Sequence, residues 1–188
     1  MPGAMSGSWV MTILKYVGTV GAAALLTAAV ALPAAAQSAN AVLHDKSGKD
    51  VGTADLLQTP AGILIKLTLK GIPAGEHAFH IHAAAKCEPP AFTSAGPHFN
   101  PANEKHGMLS GHGHAGDMPN LHIPQNGELS VEVLNTTITL EKGKPNSLFH
   151  PDGTAIVIHE GVDDYKSDPA GNAGARFACG VIASAPAR

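Results

Sequence analysis

From residue 37 onward, glycine and proline cut this chain into apolar runs of about five to eight residues, which is strand length and too short for ordinary helices. Residues 63–69, Ile-Leu-Ile-Lys-Leu-Thr-Leu, are rich in β-branched and apolar side chains. They lie between Gly62 and Gly71-Ile72-Pro73, so they read as a strand ended by a turn. Residues 129–134 alternate at period two, as a strand with one buried face does. Residues 76–82, 155–159 and 177–182 read as further strands, and 40–44, 51–57 and 121–123 as weaker ones. No segment keeps a convincing helical period. About eight short strands imply an all-β sandwich or barrel. Two intervals break the spacing: 83–120, full of Gly, Pro, His and Asn, and 161–175. Loops this long in a compact domain usually carry function.

The N-terminal part follows other rules. Lys15 is the only charged side chain before Asp45, residues 17–36 are almost wholly apolar or small, and the run ends in Ala34-Ala35-Ala36 before Gln37. A basic start, an apolar run and a small-residue cleavage site read as a secretory signal over 1–36. An uncleaved anchor fits less well, because the Ala-rich run is weakly hydrophobic and broken by Pro33. Residues 37–188 then form one domain, exported and with no stable membrane insertion once the signal is removed. The formal net charge is −3 and there is no basic stripe, so no nucleic-acid partner is expected. In an oxidising compartment, Cys87 and Cys179 are expected to form one disulfide rather than bind metal.

Eleven histidines are unusual at this length, and seven fall between His77 and His114. In a strand, residues two apart share a face, so His80-Ile81-His82 sets two imidazoles side by side. Downstream come His98 within Gly96-Pro97-His98-Phe99-Asn100-Pro101, then His106, then His114-Ala115-Gly116-Asp117. Three His and one Asp suit a tetrahedral zinc site with N and O ligands, and the Gly and Pro residues let a loop fold back to gather them. A solvated His-rich loop would explain the composition, but not the Asp at its fixed step after His114. His159 ends an apolar run far away in sequence.

In these segments the chain resembles the copper/zinc superoxide dismutases, and their bacterial exported (periplasmic) branch in particular. The matching pieces are 78–82 (Ala-Phe-His-Ile-His), 94–101 (Ser-Ala-Gly-Pro-His-Phe-Asn-Pro), 114–117 (His-Ala-Gly-Asp), 157–160 (Val-Ile-His-Glu) and 171–180 (Gly-Asn-Ala-Gly-Ala-Arg-Phe-Ala-Cys-Gly), in the family's order. The resemblance covers essentially the whole of 37–188. It implies an eight-stranded Greek-key β-sandwich or barrel with two long functional loops, holding one copper and one zinc ion per subunit. The family is itself a standard case of the β-sandwich, of electrostatic steering and of near-diffusion-limited catalysis.

Carried over residue by residue, the resemblance makes His80, His82, His98 and His159 copper ligands. It makes His98, His106, His114 and Asp117 zinc ligands, with His98 bridging the two metals. Arg176 would hold the superoxide anion above the copper. Asp163 would link a copper-ligand His to a zinc-ligand His, although Asp164 is its neighbour. Cys87 and Cys179 would form the intrasubunit disulfide. The implied activity is dismutation of superoxide to dioxygen and hydrogen peroxide by alternate reduction and oxidation of copper. The alternative is a non-catalytic exported copper/zinc-binding protein on the same fold, which loss of a copper ligand or of the arginine would signal; all are present. The chain departs from the family at Ala83-Ala84-Ala85, where a polar residue and a glycine are usual, and 165–170 is short beside the animal enzymes. Lys166 is therefore only a candidate for steering. His112 is an extra histidine that could compete for zinc. His44, His77, His122 and His150 read as ordinary surface or strand residues. Monomer and homodimer both stay open.

Overall fold

The computed structural model describes residues 37–185 and the isolated positions 1, 3 and 7. The expected signal segment 1–36 otherwise lies outside the described residues. Met1–Pro33 is a unit separate from Ala34–Arg188, and every element below belongs to the second.

Among the described residues, ten strands follow in chain order: β1 (Ser38–Asp45), β2 (Asp50–Thr59), β3 (Gly62–Leu69), β4 (Gly75–His77), β5 (Phe79–His82), β6 (Leu121–Ile123), β7 (Leu129–Asn135), β8 (Ala155–His159), β9 (Arg176–Val181) and β10 (Ala183–Ser184). One sheet runs β5-β8-β9-β1-β2-β3-β7, with β10 also paired to β1; β4 and β6 form a separate ribbon. All its pairs are antiparallel. After the β1–β2–β3 meander the chain leaves to build β5 at the far end of the sheet, then returns to set β7 beside β3. Such returns make the sheet a Greek key.

Alternation decides which face is buried. In β3, Ile63, Ile65, Leu67 and Leu69 point inward while Lys66 and Thr68 face solvent. The register places Ala41, Ala54, Leu67 and Val131 in one row across β1, β2, β3 and β7. Small residues on one side of the row and larger ones on the other let the curled sheet close over its core.

Residues 76–82 were expected as one strand. They divide at Ala78, whose N–H donates to the Gly161 carbonyl and whose carbonyl accepts from the His159 N–H. The chain changes partner there, from β6 to β8. β8 is buried along its whole length because it is covered on both sides. Ile156 and Ile158 enter the main core, whereas Ala155 and Val157 pack with Phe92, Ala95 and Cys179 in a second, smaller core. In β5, Phe79 and Ile81 likewise join the main core, which turns His80 and His82 to the opposite face.

Candidate metal centre

Three segments carry the histidines, and backbone bonds join them. The Ile81 N–H donates to Gly116 O at 2.9 Å, the Gly116 N–H to Phe99 O at 2.9 Å, and the Phe99 N–H to Ile81 O at 2.8 Å. This closed ring locks the loop bearing His98 and the loop bearing His114 and Asp117 onto β5. Gly116 must be glycine, since a Cβ there would stand 2.3 Å from Ile81 O. Ala83 and Ala84 continue the join by donating to Pro97 O and Ala95 O, so the alanine run serves as a backbone rail.

Four of the six rings are oriented by an outer nitrogen. His80 Nε2 donates to Asp163 Oδ2 at 2.7 Å, and His106 Nε2 to Asp163 Oδ1 at 2.9 Å. His82 Nδ1 donates to Gly96 O at 2.8 Å, and His159 Nδ1 to Gly174 O at 3.3 Å. A proton fixed on one nitrogen leaves a lone pair on the other, and these lone pairs face inward. Among the described residues, four of the five buried side-chain nitrogens without a hydrogen-bond partner are His80 Nδ1, His98 Nε2, His106 Nδ1 and His114 Nδ1; the fifth is His150 Nε2.

These atoms form two groups. His80, His82, His98 and His159 offer donors within 4.8 Å of one another, as do His98, His106, His114 and Asp117. His98 belongs to both. In the second group, Asp117 Oδ1 stands 3.0 Å from His98 Nδ1, 3.1 Å from His106 Nδ1 and 3.5 Å from His114 Nδ1. Four donors at zinc–ligand distance from one tetrahedral ion stand roughly 3.3 Å apart, so the group fits zinc. In the first group, His82 Nε2 and His159 Nε2 face each other at 3.4 Å. That all-imidazole set suits a redox metal such as copper.

The electrostatics agree with ligation. Burial lowers His80 to about 4 and His159 to about 3, and lowers His82 well below its usual value, so these rings are neutral at pH 7. Burial also lowers His114. Burial would raise Asp117, but hydrogen bonds from His98 and from the Gly107 and His114 backbone outweigh it and hold the group at about 2. Asp163 is likewise raised by burial. Bonds from His80, His106 and the Tyr165 N–H reverse this and keep it below the usual carboxylate range. Asp164 is exposed and bonds only within its own loop, to Lys166, Ser167 and Asn172.

Arg176 opens β9 opposite His159, at an irregularity in the β8–β9 register. Its Nη1 donates to Phe92 O at 2.5 Å and its Nη2 to Gly96 O at 2.6 Å. Both carbonyls belong to the segment that Cys87 ties to Cys179 of β9, with the two Cα atoms 5.6 Å apart. The depression beside Arg176 is lined by Lys46, not Lys166. His112 is exposed and stands outside both donor groups. His44 and His122 pair with Asp50 and Glu76 at the surface. His77 is buried, and its ring bonds to Pro73 O and to His159 O.

Several functional positions carried no legible signal. Phe92 and Gly96 act through carbonyls, which every residue has. Asn120 clamps Asp163 by donating to its carbonyl and accepting from its N–H. Gly171 (φ +63°) packs where a Cβ would lie 1.9 Å from Asp163 Oδ1. Its place in a glycine-rich match was the only hint.

Residues 51–182 match the family described as copper/zinc superoxide dismutase (SODC). A Cu-Zn superoxide dismutase of Aquifex aeolicus (strain VF5) is 56% identical over 146 residues, covering 77% of this chain and 85% of that protein. One from Caulobacter vibrioides is 41% identical over 149 residues, covering 77% and 85%. The crystal structure of a SOD-like protein from Bacillus subtilis superposes with a TM-score of 0.73 at 36% identity, covering 76% of this chain and 96% of that one.

Proposed function

This chain belongs to the copper/zinc superoxide dismutase family, and from that premise we propose that His80, His82, His98 and His159 hold its copper and that His98, His106, His114 and Asp117 hold its zinc. The enzyme converts superoxide to dioxygen and hydrogen peroxide. One observation supports the ligand assignment: buried nitrogens of His80, His98, His106 and His114 without a hydrogen-bond partner converge within two donor groups that share His98.

When bound, copper supplies the chemistry by accepting an electron from one superoxide and returning it to the next, while zinc keeps a fixed charge. The chain's own residues do the rest. Arg176 offers a permanent charge to the anion. Two of its donors are spent on Phe92 O and Gly96 O, which hold the guanidinium still; the other N–H groups are left for substrate. His98 holds a proton at Nε2 between the half-reactions, since its Nδ1 is committed to the zinc side, and delivers it to the departing peroxide. The second proton comes from solvent. Asp163 grips a ring of each group, so that neither can rotate its lone pair away.

Residues 1–36 act as a signal that sends the domain 37–188 out of the cytoplasm, in a bacterium to the periplasm. The Cys87–Cys179 disulfide supports that destination. No helix among the described residues is long and apolar enough to cross a membrane.

The test is to purify the exported form, measure copper and zinc per subunit, and assay superoxide removal. We expect one of each metal and rapid removal. A chain that holds both metals and does not remove superoxide would instead be a non-catalytic carrier.

A further inference from the structure

The surface beside Arg176 and the surface beside the second donor group differ in charge. Beside Arg176, a depression is lined by Lys46 and Arg176, with Lys46 ion-paired to the neighbouring Glu160, so Arg176 is the cation that sets its charge. On the zinc side a larger groove is walled by His98, His114 and His150 with three carboxylates, Glu104, Asp152 and Asp168, and no Lys or Arg lines it. The groove reaches the donor group itself. His114 is 8% exposed and its Nδ1 has no hydrogen-bond partner, and Asp168 Oδ1 stands 3.9 Å from His114 Nε2. Asp168 also accepts from the His106 N–H at 2.9 Å, which ties the groove wall to a second member of the group. His150, stacked flat on Phe99, adds an unpartnered imidazole nitrogen to the same wall.

We propose that this carboxylate-lined groove is the route by which a divalent cation reaches and leaves the His98, His106, His114 and Asp117 group. The inference rests on the ligand assignment above and adds what that assignment does not contain: a path, and a sign. A wall of one charge in a low-dielectric cleft concentrates ions of the opposite charge and raises their on-rate, an effect that salt screens. The same wall repels superoxide, so the anion is left the approach beside Arg176. A different depression, lined by Met108 and His112, also touches His114 and Asp117 but has no other carboxylate; it is the competing way in.

The test uses the metal-stripped, disulfide-intact exported protein with Co(II) as probe, because tetrahedral Co(II) has a strong visible spectrum. Uptake is followed by stopped flow for the native chain, for E104Q/D152N and for H112A, at low salt and at about 0.5 M salt. We expect E104Q/D152N to bind the same amount of Co(II) with the same final spectrum, but roughly three- to tenfold more slowly at low salt, with the gap closing at high salt. H112A should match the native chain. Equal rates for E104Q/D152N and the native chain at low salt would overturn the route, as would slowing confined to H112A. Failure of the native chain to develop a tetrahedral spectrum at any concentration would overturn the ligand assignment instead, so the two failures are distinct.

Discussion

At the scale of single residues, most rings of the two donor groups have a second residue that fixes them. Asp163 is the clearest case, since one carboxylate accepts from a ring of each donor group. Asp163→Asn keeps the shape but turns one acceptor into a donor that faces an N–H. We expect metal retention against a chelator to fall by roughly 10- to 100-fold with the fold unchanged. Arg176→Ala removes the anion's partner and touches no ligand, so the rate constant should fall roughly ten- to a hundredfold while copper and zinc contents stay at the native value. Loss of copper in that variant would contradict the role given to Arg176. The residues that gather into the two donor groups were legible in the sequence because imidazole and carboxylate are rare, chemically specific, and set at steps that a strand or a tight loop can present. The groups that hold them were mostly not. A carbonyl of Phe92 or Gly96 has no signature of its own, and Asn120 gains its meaning only when a loop 43 positions away is folded against it.

At the scale of elements, the metal groups depend on how loops are fastened to β5. The three-way backbone ring of Ile81, Phe99 and Gly116 is one fastening. Gly116→Ala should push the His114 loop off the strand, costing about 2–4 kcal/mol and lowering zinc content, as thermal melting and metal analysis would show. The disulfide is the other. It closes a loop of 92 residues in sequence separation, and Cys179 sits in the small core with Phe92 and Ala95. Replacing both cysteines by serine should cost about 3–5 kcal/mol. Activity should fall beyond the loss of folded protein, because the Phe92 and Gly96 carbonyls that steady Arg176 would loosen. The strands themselves were largely readable from alternation and from Gly and Pro punctuation. The break at Ala78 was not, because it arises from a change of pairing partner. β10 was missed because two exposed residues leave no pattern.

At the scale of the whole molecule, the metal-free protein hides several neutral imidazoles and depressed carboxylates, and acid should find them. The folded-state pKa values of His80 and His159 are lowered, to about 4 and about 3, from an ordinary 6.5. Between those values the unfolded chain binds protons that the folded chain refuses. Their contribution is therefore whole above pH 6.5 and is lost as pH falls toward 4 and 3, by up to about 1.4 kcal/mol per group per pH unit. Asp117, lowered to about 2, adds a loss of the same sign below pH 3.8. The melting temperature of the stripped protein should drop steadily from pH 7 to pH 4; a flat profile would mean that these rings are solvated. The disulfide-bound segment has a consequence at this scale as well. Both carbonyl anchors of Arg176 lie on the segment cross-linked through Cys87, and one of them, Gly96 O, also accepts from the ring of His82, a proposed copper ligand. A copy left among reductants would therefore hold both its substrate and one ring of its copper group less firmly. The cross-link thus serves as a customs stamp: full working capacity is issued only to copies held in an oxidising space.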